Sequence, residues 1–247
     1  MAHDYAITIG GTALSGVVDH ARFLKYTSGT RRGSDLEIPY KHGLLYVPDK
    51  YFADSEVMLE VFLPADSHDA AAEALSILAE LLSSQTLVTV TQTDPFRGAI
   101  QARVELISDP VETQNNLVYM FPLHNPSGFW EDQSATTITS ANPPTVTTSG
   151  DRPIDDMVLS FSGTGYLEHT DALGQVARIT IDSGAGGTTP YVVDVGAGTV
   201  FDSAGTPVAK DEFLTVTQEY WMKWQPGVAQ SFTSNVTVGG SYRNKWS

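Results

Sequence analysis

One stretch of the chain repeats its apolar residues at helical spacing, and its solitude restricts the fold more than any other feature. In "SHDAAAEALSILAELL", Ala71, Ala74, Leu75, Leu78, Leu81 and Leu82 line one face, while Glu73, Ser76 and Glu80 lie on the other. Ser67 stands at the N-cap position, and Asp69 and Glu73 sit near the positive end of the helix dipole. One helix cannot fill the core of a 247-residue chain. The remaining apolar residues must do so from strands, and their spacing agrees.

Before the helix, "EVMLEVFLP" sets Val57, Leu59, Val61 and Leu63 on one face. Met58 and Phe62 on the opposite face imply that this face is partly covered as well. After the helix come "TLVTVTQ", then "AIQARVEL" with Ile100, Ala102, Val104 and Leu106 inward, then "NNLVYMFPL" with Leu117, Tyr119, Phe121 and Leu123 in step. Period-two strands around one helix predict an antiparallel α+β domain over residues 1–132, a β-sandwich with one helix.

Residues 133–152 change character. "QSATTITSANPPTVTTSGDR" is a polar Thr/Ser/Pro run that reads as a linker or an extended edge strand. From 153 to 247 short strands follow at regular spacing, among them "MVLSFSG", "ARITIDS", "PYVVDV", "FLTVTQEYW" and "QSFTSNVTV". Glycines punctuate them and no helix interrupts them, which predicts an all-β sandwich or jelly roll. The chain is thus mainly β. "WMKWQPGVAQSFTSNVTVGGSYRNKW" reads as a closing β-hairpin carrying Trp221, Trp224 and Trp246, with Pro226-Gly227 in the middle of a type II turn.

Composition narrows the function. Charged residues make up only 17% of the chain, and Thr, Ser and Gly fill the gap, as strands and turns require. With no cysteine, disulfides and thiolate metal sites are excluded. No apolar run reaches membrane-spanning length, so no membrane insertion is expected, and "MAHDYAITIGG" is not a secretory signal. Net charge is −15, which repels nucleic-acid phosphates. The plain reading of that excess is solubility. The sharper one is a surface past which DNA slides without sticking.

No catalytic pattern stands out. No Gly-x-Ser-x-Gly pentad exists, since "TALSG" around Ser15 lacks the first glycine. The six histidines, His3, His20, His42, His68, His124 and His169, are scattered without metal-ligand spacing. Asp155 and Asp156 form a local acidic pair but lack the further ligands of a calcium loop, so a solvated loop is the simpler reading. Gly196-Ala197-Gly198 leads into a strand rather than a helix, which makes it a β-turn and not a phosphate loop. Asn235-Val236-Thr237 matches a glycosylation acceptor with nothing else to suggest secretion. No catalytic, cofactor-binding or metal-binding residues are assigned, and no cofactor is implied. Arg31 and Arg32 form the densest positive spot. They read as a hairpin tip in water, or as a clasp for carboxylates of a neighbouring copy, with Tyr40, Leu44 and Tyr46 laid against that neighbour.

The order of these segments resembles the distal tail proteins of long-tailed bacteriophages. The resemblance runs through "GSDLEIPYKHGLLYVPDKYFADSEVMLEVFLP", "LSILAELLS", "RGAIQARVEL" and "FPLHNPSGFWED" in the first part. It continues through "GDRPIDDMVLSFSG", "PYVVDVGAGTVFDSAG" and the closing aromatic segment. Two features depart from it: Trp221 and Trp224 stand where simpler aliphatics are expected, and the loops are too short to hold an inserted host-binding module. The resemblance implies a galectin-like second domain and a homohexameric ring between the tail tube protein and the tail tip or hub proteins. It implies a virion protein made in the host cytoplasm, with DNA passing through the ring without specific binding. Residues 1–150 hold 8 Lys/Arg against 18 Asp/Glu, and residues 151–247 hold 6 against 11, so the part that would form the ring wall is the more acidic. The alternative is a carbohydrate-binding sandwich, in which Trp221, Trp224 or Trp246 would lie flat and exposed under a sugar.

Overall fold

The structure, a computed structural model, describes residues 6–26, 31–32, 36–37, 44–45, 51–52, 55–83, 87–94, 98–114, 117–172, 174–182, 185, 187–208 and 222–246. The chain divides into two compact units, with the division between Gln133 and Ser134.

The first unit holds β1 (Ile7–Ile9), β2 (Thr12–Ala13), β3 (His20–Tyr26), β4 (Arg31–Arg32), β5 (Leu36–Glu37), β6 (Leu44–Leu45), β7 (Tyr51–Phe52), β8 (Ser55–Phe62), α1 (His68–Leu82), β9 (Val88–Asp94), β10 (Gly98–Leu106), β11 (Val111–Gln114), β12 (Val118–Asn125) and β13 (Trp130–Asp132). Its main strands run in the order β2-β1-β9-β10-β12-β8-β3. β10 is the corner of this sheet. Gly98 to Val104 pair with β9, and Glu105 and Leu106 pair with β12. One strand thereby serves both halves, and the inward faces of both are buried: Ile7, Ile9, Val90, Ile100, Ala102 and Val104 on one side, Val57, Leu59, Val61, Phe121 and Leu123 on the other. Trp130 is buried with its ring edge-on to Phe23 at 5.3 Å.

The helix forms where its pattern places it. Ser67 Oγ accepts a hydrogen bond from the Ala70 N–H at 3.1 Å, which satisfies one of the otherwise orphaned first-turn donors. Ala71, Ala74, Leu78 and Leu82 are buried, while Leu75 and Leu81 are half-buried at the stripe's margin. In β12 the expected phase holds for Phe121 and Leu123 only. Val118 is buried and Tyr119 half-buried, because the start of β12 pairs with β11 on one side and β8 on the other. β11 itself escapes a hydrophobicity reading, since Val111, Glu112 and Thr113 are all exposed.

The second unit holds β14 (Thr136–Ala141), β15 (Val158–Phe161), β16 (Gly165–Thr170), β17 (Val176–Ile181), β18 (Tyr191–Asp194), β19 (Thr199–Phe201), β20 (Ser231–Ser234), β21 (Val238–Tyr242) and β22 (Lys245–Trp246), of which β14 to β21 build a two-sheet sandwich. One sheet runs β14-β21-β15-β18-β19 and the other β17-β16-β20, all pairs antiparallel. Leu159, Phe161 and Val193 from the first sheet and Leu167, Ile179 and Ile181 from the second meet in one core.

One alternative is decided here and one expectation corrected. Of the two readings of 133–152, linker or edge strand, the edge strand is the one formed: β14 pairs with β21 at the end of its sheet, and Thr147 and Arg152 bridge to Ala229 and Lys245. An edge strand needs few core residues, and Ile138 and Val146 suffice, which is why its composition reads as linker. The closing segment is not a hairpin. β20 pairs with β16 in one sheet, and β21 lies between β14 and β15 in the other. The link between them crosses from sheet to sheet, and Asn235 Oδ1 anchors it by accepting the Tyr166 N–H at 2.7 Å. Gly227, with φ of +69°, does take the positive value a type II turn requires.

Candidate assembly surface

Between β3 and β8 the chain makes an excursion whose backbone pairing is ordered as one nested hairpin. Tyr26 faces Val57, Arg31 faces Phe52 and Arg32 faces Tyr51 in unbroken register. Leu36 then faces Leu45 and Glu37 faces Leu44, after a two-residue shift. β3 ends the strand order of the main sheet with β8 beside it, and β4–β7 and β5–β6 form two separate two-stranded ladders. Eleven Cα–Cα steps lead from Tyr26 to Glu37, which places Glu37 at most ~40 Å from Tyr26. Of the residues assigned to a neighbour contact, Arg31 and Arg32 form β4 and Leu44 opens β6, while Tyr40 and Tyr46 lie outside the described residues.

The tryptophans of the sugar-binding alternative fare differently. Trp224 is fully buried, edge-on to Phe232 at 5.5 Å and to Tyr242 at 5.4 Å, and its backbone bridges Ile154. It is a core residue and presents no face to a ligand. Trp246 is half-buried in β22, and Trp221 lies outside the described residues.

The polar groups that drew attention in the sequence have structural partners. Asp155 and Asp156 hold the buried ammonium of Lys245, at 2.6 and 3.1 Å, so they are an intramolecular ion pair rather than a solvated acidic loop. His169, read as scattered, is buried with its Nε2 3.0 Å from Gln230 Oε1. The same oxygen accepts the Gln225 N–H, so His169 Nε2 is the donor of this contact. Gln230 Nε2 in turn donates to the Gln225 and Val228 carbonyls and to Thr148 Oγ1. Burial holds the His169 pKa below its ordinary 6.5, against the opposing pull of Gln230 and Asp171. Asp202 accepts the Thr206, Ala204 and Thr188 N–H groups. The Thr206 hydrogen bond chiefly holds its carboxyl below the ordinary 3.8. His124 Nδ1 lies 2.9 Å from Glu105 Oε1 on adjacent strands. Asp194 Oδ1 accepts the Ala197 N–H and closes the β18–β19 turn, the role expected for Gly196-Ala197-Gly198. Among the described residues no cluster of His, Asp or Glu is arranged to hold a metal, and no helix is long and apolar enough to cross a membrane.

No protein-family model matches the chain, and no curated protein matches it in sequence. Solved structures do. The SPP1 Dit protein, described as a paradigm of the hub adsorption apparatus in phages that infect Gram-positive bacteria, superposes with a TM-score of 0.65 at 13% identity, over 98% of both chains. The chain shares the fold of that protein. Chains of the phage P2 baseplate in its activated conformation align at lower scores. With Ca the TM-score is 0.48 at 11% identity, over 99% of this chain and 98% of that one. With Sr it is 0.44 at 10% identity, over 97% of each. The likeness to SPP1 Dit spans both units, a helix-bearing sandwich followed by an all-β one.

Proposed function

We propose that the chain is a structural protein of a bacteriophage tail, an adaptor ring between the tail tube and the tail tip through which DNA passes. The observation that carries this reading is the likeness to SPP1 Dit over both units at once. A shared single sandwich would suit many activities; two unlike sandwiches in the same order are a far more specific match. The ring, its six copies, its contacts with tube and hub proteins and its place in the virion follow from that reading. The acidic balance supports a bore that does not hold DNA. The fully buried Trp224 argues against a sugar platform, and the partnered Asp155, Asp156 and His169 support a non-enzymatic role.

The test is the mass of the purified protein by light scattering across concentration and salt, followed by negative-stain images. Rings are expected, and moderate salt should favour them by screening like-charged copies. Changing Arg31 and Arg32 together to Glu should weaken the rings with circular dichroism unchanged. A monomer at every concentration and salt would sink self-assembly.

A further inference from the structure

We propose that the side of the second unit built from residues 134–150 and 225–242 is a contact surface for a second copy of this chain, joined through the free edge of β14. The two segments hold 35 residues and not one Asp, Glu, Lys, Arg or His. At the chain's 17% of charged residues, about six would fall there. The gap belongs to one place as well as to composition, because the fold lays the two segments together. β14 pairs with β21 from Thr136 opposite Tyr242 to Ala141 opposite Val238. Beyond β14, Ser234 Oγ donates to Asn142 Oδ1 at 2.7 Å, the Gln230 N–H to the Val146 carbonyl at 2.9 Å and the Thr148 N–H to the Val228 carbonyl at 3.1 Å. One uncharged strap thus forms the edge of the first sheet and then runs beside β20, which ends the strand order of the second.

The surface is polar yet bare of charge. Thr136, Thr137, Thr139 and Ser140 of β14 are exposed, and Ile138 turns into the core. Val228, 47% exposed, stands on the adjoining turn, which Gln230 Nε2 holds by donating to the Gln225 and Val228 carbonyls. Native edge strands are kept from pairing by charge, proline or a bulge. β14 has neither charge nor proline between Thr136 and Ala141, and its four successive β-branched residues, 136–139, favour extended backbone. Its one device is the register shift between Ile138 and Ala141, which leaves Thr136 to Ile138 in regular pairing with β21. Pro143 and Pro144 come after the strand, where they remove donors from the part of the strap beside β20 and not from β14. No described strand pairs with the other side of β14.

Charge decides the occupant. A basic partner would gain most on the acidic surface that a chain of net charge −15 offers elsewhere. A charge-free side suits a partner that is itself acidic, because there the two approach without like charges face to face. A second copy is such a partner, and it brings the same bare edge. Two β14 strands running antiparallel join two five-stranded sheets into one across a two-fold axis, an isologous contact. Neighbours around a ring axis are not related by a two-fold, so this contact goes beyond the ring reading: it links free chains, or one ring to another.

The absence of cysteine makes the test clean, because each single substitution supplies the chain's one thiol. Thr137→Cys protein treated with a short bis-maleimide is expected to give a covalent dimer. Ala204→Cys, exposed just beyond β19 at the other end of the same sheet, is expected to give none. Separately, Thr137→Lys with Thr139→Lys should raise the concentration at which the mass doubles roughly ten-fold or more, read by sedimentation equilibrium, with circular dichroism and melting unchanged. Lysine is the discriminating choice, since it brings the net charge nearer zero and would strengthen an association limited by general repulsion. Equal association of the double Lys variant overturns the proposal, as does equal cross-linking of Ala204→Cys. Wild-type rings that never double in mass overturn it and leave the ring reading standing. Chains that dimerise through Thr137→Cys without forming rings do the reverse. A wild-type chain that stays monomeric overturns both.

Discussion

Both units place glycines in open turns, Gly163, Gly174 and Gly205 among them in the second, but the second also uses glycine where chains crowd. In the first, a Cβ added at Gly11 or Gly98 would meet nothing within 4 Å. These glycines serve turns and stand in open space. In the second, a Cβ at Gly240 would lie 2.1 Å from the Val158 carbonyl oxygen, and at Gly239 2.4 Å from Ser140 Oγ. Both belong to β21, the strand held between β14 and β15. The second unit thus brings backbones close and then ties them with buried polar side chains such as Asn244, Lys245 and His169. The first relies on an ordinary apolar core and a helix, and leaves Leu24, Ile107 and Val111 exposed. The lesson is a division of labour. The second unit ties its strands with buried polar side chains, while three of the four large hydrophobics exposed among the described residues lie in the first and one, Val228, in the second.

The largest test of that contrast is Trp224→Ala. Trp224 is fully buried between Phe232 and Tyr242, and its loss leaves a cavity that a tightly held sandwich cannot collapse. A cost of roughly 3–5 kcal/mol is expected, read by denaturant unfolding of the second unit. A change under ~1 kcal/mol would mean that the sandwich is plastic and the contrast false.

Gly240→Ala follows. Its φ is +141° and its neighbour is backbone, which cannot swing aside. Strain and overpacking together should cost roughly 3 kcal/mol and separate β21 from β15. Hydrogen exchange along Val158–Phe161 and Val238–Tyr242 would report it, and unaltered protection would show that the strands already have room.

Acid probes the buried polar ties. The His169 ring titrates lower folded than unfolded, so below pH 6.5 the unfolded chain takes up a proton that the folded one refuses. Stability contributed by the neutral ring is complete above 6.5, falls as pH drops below it, and levels off beneath the folded pKa. Asp202 acts in a separate, more acidic window, since its carboxyl is held below 3.8 and its contribution fades as pH falls through that lowered value. Melting of His169→Gln should lose the dependence just below 6.5 and keep the one below 3.8. A wild-type curve that is flat from pH 7.5 to 5 would remove His169 from the list of ties.

Much of this was legible in the sequence, and the failures share a cause. The helix, its Ser67 cap and the inward faces of β8 and β10 follow from spacing, because one side of each is buried and the other is wet. The excursion Arg31–Phe52 was legible as a hairpin, but not its layout: Arg31 and Arg32 lie in β4, paired with β7, and not at a tip, since the β5–β6 pair lies between them in sequence. Residues 133–152 left linker and edge strand undivided, because an edge strand buries little. The closing hairpin misread because local pattern gives strands and not their partners: β20 and β21 are close in sequence and lie in different sheets. Trp224 was legible as important and illegible as to side, since a buried aromatic and a sugar platform look alike in one dimension. Lys245 was missed as the partner of Asp155 and Asp156 because it stands 90 and 89 positions further along the chain.

The smallest effect sharpens the contrast most. Gly98 has φ of +78° and lies where β9 turns into β10, with Gly98 facing Asp94 in the ladder. A methyl group there meets no atom, so only the left-handed backbone opposes it. That preference costs about 1 kcal/mol for an L-residue. Gly98→Ala should therefore lower the melting transition of the first unit slightly and leave assembly untouched, and Gly98→Asn should restore part of the loss, because Asn tolerates that backbone region better than Ala does. If Gly98→Ala costs as much as Gly240→Ala, crowding is not what separates the two units, and the glycines of β21 are doing no more than those of a turn. If Gly98→Asn is as costly as Gly98→Ala while both remain near 1 kcal/mol, the loss comes from reduced freedom of the turn and not from its handedness. The contrast between the units then survives on Gly240 alone.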